Sequence, residues 1–142
     1  MAAQIPRDVL GNCKILVVDD DPGSLMVAMI ILRHYGGNVI TATNGEEGLA
    51  LVLSAQPTFI ISDLSMPVMS GWVLIERLKE NPATASIPII ALTAHAMNGD
   101  RERALAAGFH NYLFKPLTPS TFIPDLVKLL MDIPALVSEL KL

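Results

Sequence analysis

Aromatic residues make up only 5% of this 142-residue chain, and tryptophan occurs once. Any core must therefore be aliphatic, drawn from the 51% of residues that are hydrophobic, and that share excludes a disordered chain. Cysteine also occurs once, as Cys13, so no internal disulfide can form, which suits a reducing cytoplasm. Long apolar runs are missing despite a mean hydropathy of +0.48. The longest, Leu25–Leu32, falls far short of the roughly 20 residues that a spanning helix needs. No basic segment followed by an apolar stretch opens the chain, so no secretory signal is visible. Lysine and arginine nowhere cluster and the net charge is −4, which argues against a nucleic-acid-binding surface. These absences leave one soluble cytoplasmic domain, since the length suffices for one and not for two.

What is present is an alternation. Short apolar runs at Lys14–Val18, Asn38–Ala42, Thr58–Ser62, Ile87–Leu92 and Asn111–Phe114 read as strands. Several lack a two-residue alternation, as strands of a parallel sheet buried on both faces should. Between them, Pro22–Tyr35, Gly45–Ala55, Gly71–Glu80, Asn98–Ala107 and Pro119–Met131 read as helices. Asp21 before Pro22 predicts an N-cap with proline at the first helical position, and Asn44 with Glu47 a capping box. Gly36–Gly37 and Gly108 stand where helices should stop. Parallel strands need right-handed helical crossovers, so five β-α repeats predict an α/β fold. Its form is a doubly wound five-stranded parallel sheet of flavodoxin-like order 2-1-3-4-5.

In such sheets ligands bind beyond the carboxyl ends of the strands. The first strand ends in Asp19-Asp20-Asp21, the third in Asp63, the fourth in Thr93 and the fifth in Lys115-Pro116. Carboxylates crowded together repel and raise one another's pKa unless a cation joins them. No histidine or cysteine pair accompanies them, so Mg²⁺, with Mn²⁺ as a substitute, fits better than zinc. Such an ion neutralises phosphoryl oxygens during transfer, and a carboxylate can be the accepting nucleophile. Acids at strand ends also serve as solvated helix caps, and that plainer reading is preferred for Asp21.

At these residues the chain resembles the receiver domains of two-component response regulators, the CheY-like superfamily. The resemblance runs from about Lys14 to Met131 and rests on ILVVDDDP, DLSMPVMSG, IIALTA and NYLFKP, of which DLSMPVMSG is the most specific. It implies a phosphoacceptor at Asp63, charged from a phosphohistidine of a sensor histidine kinase or histidine phosphotransfer protein. It implies Mg²⁺ held by Asp20, Asp63 and the backbone carbonyl of Ser65, with Asp19 acting through water. Lys115 and Thr93, with Ala94 beside it, would bind the phosphoryl oxygens, and Tyr112 would be the switch aromatic of the surface formed by helix four, strand five and helix five. Met66, Pro67 and Gly71 would shape the loop after strand three, and Pro116 would follow a cis peptide bond. The domain is expected at residues 13–131, between an N-terminal arm, 1–12, and a tail, 132–142, that could hold a further helical turn.

Several features depart from the pattern. Ser65 is small and His95 follows Thr93 by two residues, at positions flanking the path of the water that hydrolyses the acyl phosphate. Both are candidates for setting the signal's decay; His95 reads equally well as an idle loop residue, and His34 and His110 as surface or helix-end groups. Leu25–Leu32 is apolar all round. Helix one is therefore a docking surface for the kinase or phosphotransfer partner, a contact of a weak dimer, or a helix covered by the arm. Pro124 requires that helix five begin there or kink. Two rivals are weighed. A haloacid-dehalogenase-like phosphatase using Asp19 leaves DLSMPVMSG unexplained and lacks a late acidic pair and a cap. A phosphorylation-independent binding module has no positive support, because Asp20, Asp63, Thr93 and Lys115 are all present. The domain is thus expected to be no enzyme beyond its own phosphorylation and dephosphorylation.

Overall fold

Apolar β-branched runs and capped helical segments give five strands and six helices in the computed structural model, which describes residues 5–94 and 100–142. The strands are β1 (Lys14–Val18), β2 (Asn38–Ala42), β3 (Phe59–Asp63), β4 (Ile89–Thr93) and β5 (Asn111–Phe114). The helices are α1 (Pro22–His34), α2 (Gly45–Ala55), α3 (Gly71–Glu80), α4 (Asp100–Ala107), α5 (Phe122–Met131) and a short α6 (Pro134–Val137). All strand pairs are parallel and the order is β2-β1-β3-β4-β5, as expected from the sequence.

The three central strands are buried almost end to end, so each contributes to two cores. Ile15, Val17, Phe59, Ile61, Ile90 and Leu92 face α1 and α5, whereas Leu16, Val18, Ile60, Ile89 and Ala91 face α2, α3 and α4. Each such aliphatic side chain contributes roughly 1.5–3 kcal/mol by leaving water.

Several boundaries differ from expectation: α1 ends one residue early, at His34, and the expected start of helix four at Asn98 lies outside the described residues. β3 begins one residue later, at Phe59; just before it the Thr58 hydroxyl accepts the Lys14 N–H at 2.9 Å. Asp63 thereby becomes the strand's last residue. β4 starts after Pro88, which has no N–H for the ladder, and ends on Thr93. Helix five starts at Phe122, not Pro119; Pro119 lies in a turn. Pro124 then falls in the first helical turn, where its missing N–H costs nothing, so no kink is needed.

Local caps follow the sequence. The Asp21 carboxylate accepts the Gly23 N–H at 3.1 Å and the Ser24 hydroxyl at 2.9 Å, and these bonds hold its pKa low. Asn44 accepts the Glu47 N–H at 2.9 Å, but the Glu47 carboxylate accepts the Thr43 hydroxyl, so only half of the box forms. Gly36 and Gly108 both take left-handed φ, +93° and +109°, just after helices.

The segments outside the five repeats join the core. Val9 and Leu10 are fully buried among Ile31, Leu32, Ile133, Leu136 and Leu140. The Lys141 N–H donates to the Val9 carbonyl at 2.9 Å, so the two ends of the described chain meet below β1. Cys13 is buried there, its thiol 3.8 Å from the Glu139 carbonyl, and burial with the Glu139 charge pushes its pKa to about 11. The arm thus covers one side of α1. The other side stays open, with Met26 52% and Ile30 58% exposed.

Candidate functional site

Parallel strands all deliver their last residues to one edge, and here that edge gathers the predicted groups. Asp19 and Asp20 follow β1, while Asp63 and Thr93 close β3 and β4 and Lys115 follows β5. The Lys115 ammonium lies between two acids. Its Nζ is 3.0 Å from Asp63 Oδ2 and donates to Asp19 Oδ1 at 3.0 Å, with Asp19 Oδ2 at 2.8 Å. Asp19 Oδ1 also accepts the Asp21 N–H at 3.0 Å, and Asp63 Oδ1 accepts the Ser65 N–H at 3.2 Å.

Burial divides the acids. Asp19 is fully buried, Asp63 keeps 9% exposure and Asp20 is exposed. Burial raises the pKa of Asp19, helped by the charge of Asp63 and opposed by hydrogen bonds from Lys115 and the Asp21 amide. For Lys115, burial alone would lower the pKa; the hydrogen bonds and charges of Asp19 and Asp63 outweigh it and hold the ammonium firmly protonated. Three carboxylates against one ammonium still leave an excess of negative charge.

That excess and the donor set fit a hard dication. Asp19, Asp20 and Asp63 each offer one carboxylate oxygen, all within 4.8 Å of one another. Asp19 Oδ2 is buried and, although near Lys115, accepts no hydrogen bond. An oxygen-only cluster of this charge suits Mg²⁺.

The remaining predicted residues surround this centre. Thr93 is buried and Ala94 exposed beside it; His95 lies outside the described residues. Ser65 and Pro67 are exposed, Met66 is partly buried against the core under α2, α3 and α4, and the Lys115–Pro116 peptide is cis. Gly71 cannot carry a side chain, since a Cβ there would collide with the Asp63 carbonyl oxygen. Tyr112 stands apart from the acids: it is half-buried, edge-on to Phe114 at 4.7 Å, with the Arg101 guanidinium 6.0 Å from its ring. Tyr112 and Phe114 line a groove of about 630 Å³ together with Arg101, Leu117 and Lys128.

Two features escaped sequence reasoning. Asp19 is the acid that Lys115 grips most closely; adjacent Asp19 and Asp20 look alike in sequence, and only strand geometry buries the first. Val68, in the loop after β3, takes a left-handed φ of +67° while 74% exposed, and no sequence signal marks a valine for that conformation.

Comparison with known proteins agrees with this geometry. The response regulator receiver domain model matches residues 15–126. An uncharacterised 14.6 kDa protein of Leptolyngbya boryana is 42% identical over 80% of this chain and 87% of its own length. The polar-differentiation response regulator DivK of Brucella anthropi is 31% identical over 84% of this chain and 97% of its own. The structure of the chemotaxis response regulator CheY4 of Vibrio cholerae superimposes with a TM-score of 0.77 at 32% identity, covering 82% of this chain and 98% of that one. Other relatives are longer, and the chain spans only 50% of the probable transcriptional regulator ycf29 of Pyropia yezoensis. With the five-stranded order and an acidic edge facing one lysine, these matches make the chain a member of the response regulator receiver domain family.

Proposed function

We propose that this receiver accepts a phosphoryl group on Asp63 in an Mg²⁺-dependent reaction and thereby switches a protein-binding surface. The observation that carries the reading is the carboxylate of Asp63, 3.0 Å from Lys115 and within 4.8 Å of the other two acids. A carboxylate oxygen of Asp63 attacks phosphorus, the P–N bond to a histidine of the donor breaks, and the imidazole leaves as the neutral base after protonation. Asp20, Asp63 and the Ser65 carbonyl would hold the ion directly and Asp19 through water; bound Mg²⁺ neutralises the phosphoryl oxygens. Lys115 is already charged and aimed at Asp63, so it binds the incoming oxygens with little rearrangement. Thr93 and the neighbouring Ala94 serve the same group at the end of β4. The rival that uses Asp19 as nucleophile has no support, because Asp19 is fully buried beneath Lys115.

The added charge biases two packings of α4, β5 and α5, with Tyr112 as the aromatic that moves. The groove along β5 and α5 is the surface that changes. Donors are a histidine kinase or phosphotransfer protein, approaching over the open side of α1. The domain turns over no substrate besides its own phosphoryl group, acts in the cytoplasm as a monomer or weak dimer, and touches no nucleic acid directly. No helix among the described residues is long and apolar enough to cross a membrane.

Incubation with Mg²⁺ and a small phosphodonor, followed by intact mass, tests the reading. One phosphoryl group should appear, and should be lost in Asp63→Asn and with EDTA. Retention in Asp63→Asn would overturn the assignment of the nucleophile.

A further inference from the structure

One buried polar group has no part in the mechanism above. Ser62 precedes Asp63 in β3 and is fully buried, opposite Val18 of β1 and Ala91 of β4. Its neighbours in the strand, Phe59, Ile60 and Ile61, are apolar, so a hydroxyl here forgoes hydrophobic burial and needs a partner. It has one: Oγ donates to the backbone carbonyl of Asp63 at 2.9 Å. Gly71 abuts the same carbonyl so closely that no side chain would fit, and its N–H donates to the next carbonyl, of Leu64, at 3.0 Å. Two successive peptide planes leading from Asp63 are thus held from within the protein. Directly beyond them stands Ser65, whose N–H returns to Asp63 Oδ1 at 3.2 Å.

We propose that Ser62 is a positioning residue for the phosphoacceptor. By fixing the Asp63 carbonyl, its hydroxyl sets the peptide from which the nucleophilic carboxylate projects and from which the chain runs to the Ser65 carbonyl. Both groups are assigned to the metal, so the hydroxyl acts on Mg²⁺ binding and on the rate of phosphoryl acceptance through Asp63. The metal effect rests on the ligand set proposed above, and the rate effect rests on the proposed phosphoryl transfer as well.

The test compares wild type with Ser62→Ala, and Ser62→Thr with Ser62→Val, a pair of like shape that differs in the hydroxyl. Mg²⁺ affinity is measured by calorimetry without phosphodonor, and phosphorylation rate at saturating Mg²⁺. Ser62→Ala and Ser62→Val should bind Mg²⁺ about tenfold more weakly, the loss usual when a group orienting a metal ligand is removed. Their phosphorylation should slow by about tenfold or more, while Ser62→Thr stays near wild type. Wild-type affinity and rate in Ser62→Ala and Ser62→Val, whatever their melting temperatures, would reduce Ser62 to a packing residue. If Ser62→Ala does not fold, the Thr–Val difference decides. A wild type that binds Mg²⁺ but takes no phosphoryl group defeats the functional reading, and the Mg²⁺ titration still decides Ser62.

Discussion

At the scale of single residues, backbone strain and polar contacts concentrate in the loop after β3. Val68 is β-branched, exposed and left-handed, a conformation that costs an L-residue roughly 1–2 kcal/mol. Asparagine tolerates that region and Val68 buries little, so Val68→Asn should stabilise the protein by about 1 kcal/mol. Thermal denaturation should show a melting temperature higher by roughly 3 °C; an unchanged or lower value would mean that the strain is relieved elsewhere. The sequence announced Asp63, because an acid after an apolar strand is a local signal. It did not announce the left-handed Val68 backbone or the acceptor of the Ser62 hydroxyl, since residue type fixes neither a backbone angle nor a hydroxyl's partner. Residue identity specified the reactive groups, while their supports took shape only in the folded chain.

At the scale of elements, strand order and helix positions were legible because buried parallel strands are continuous apolar runs and the caps are local chemistry. What the runs could not reveal was which side of an all-apolar helix meets solvent. In α1, Ala28, Ile31 and Leu32 turn inward, beneath Val9 and Leu10 of the arm, whereas Met26 and Ile30 stand open one turn apart. The helix is therefore both covered and exposed, on different sides. Met26→Glu with Ile30→Glu should slow phosphotransfer from a cognate phosphohistidine protein by about fivefold or more, the cost of losing roughly 1 kcal/mol of interface contact. Labelling by a small phosphodonor should not change, because both side chains lie off the acidic edge. Equal transfer rates from the protein donor would remove α1 from the docking surface.

At the scale of the whole molecule, the core under α1 and α5 is closed by the segments at the two ends of the described chain, and Cys13 lies inside that closure. Its raised pKa means that the folded state holds the thiol proton more tightly than the unfolded chain does. The corresponding stability is fully present below pH 9.0 and is lost as pH rises through about 11. Melting temperature should therefore fall more steeply over that window in wild type than in Cys13→Ala; parallel curves would show that the thiol is not linked to folding. The opposite face of the molecule offers a different handle. Trp72, the sole tryptophan, lies at the start of α3 beneath the guanidinium of Arg103 in α4, 4.1 Å from the ring centre, with Phe109 edge-on at 5.9 Å. Among the described side chains of α4, Ala104 is the one that the core fully encloses, with Ala107 packed against it in part, and Arg103 adds its contact to Trp72. Light absorbed by the single indole accordingly reports on one seam of the protein, and the colour and yield of its emission become a running record of whether α4 is seated on α3.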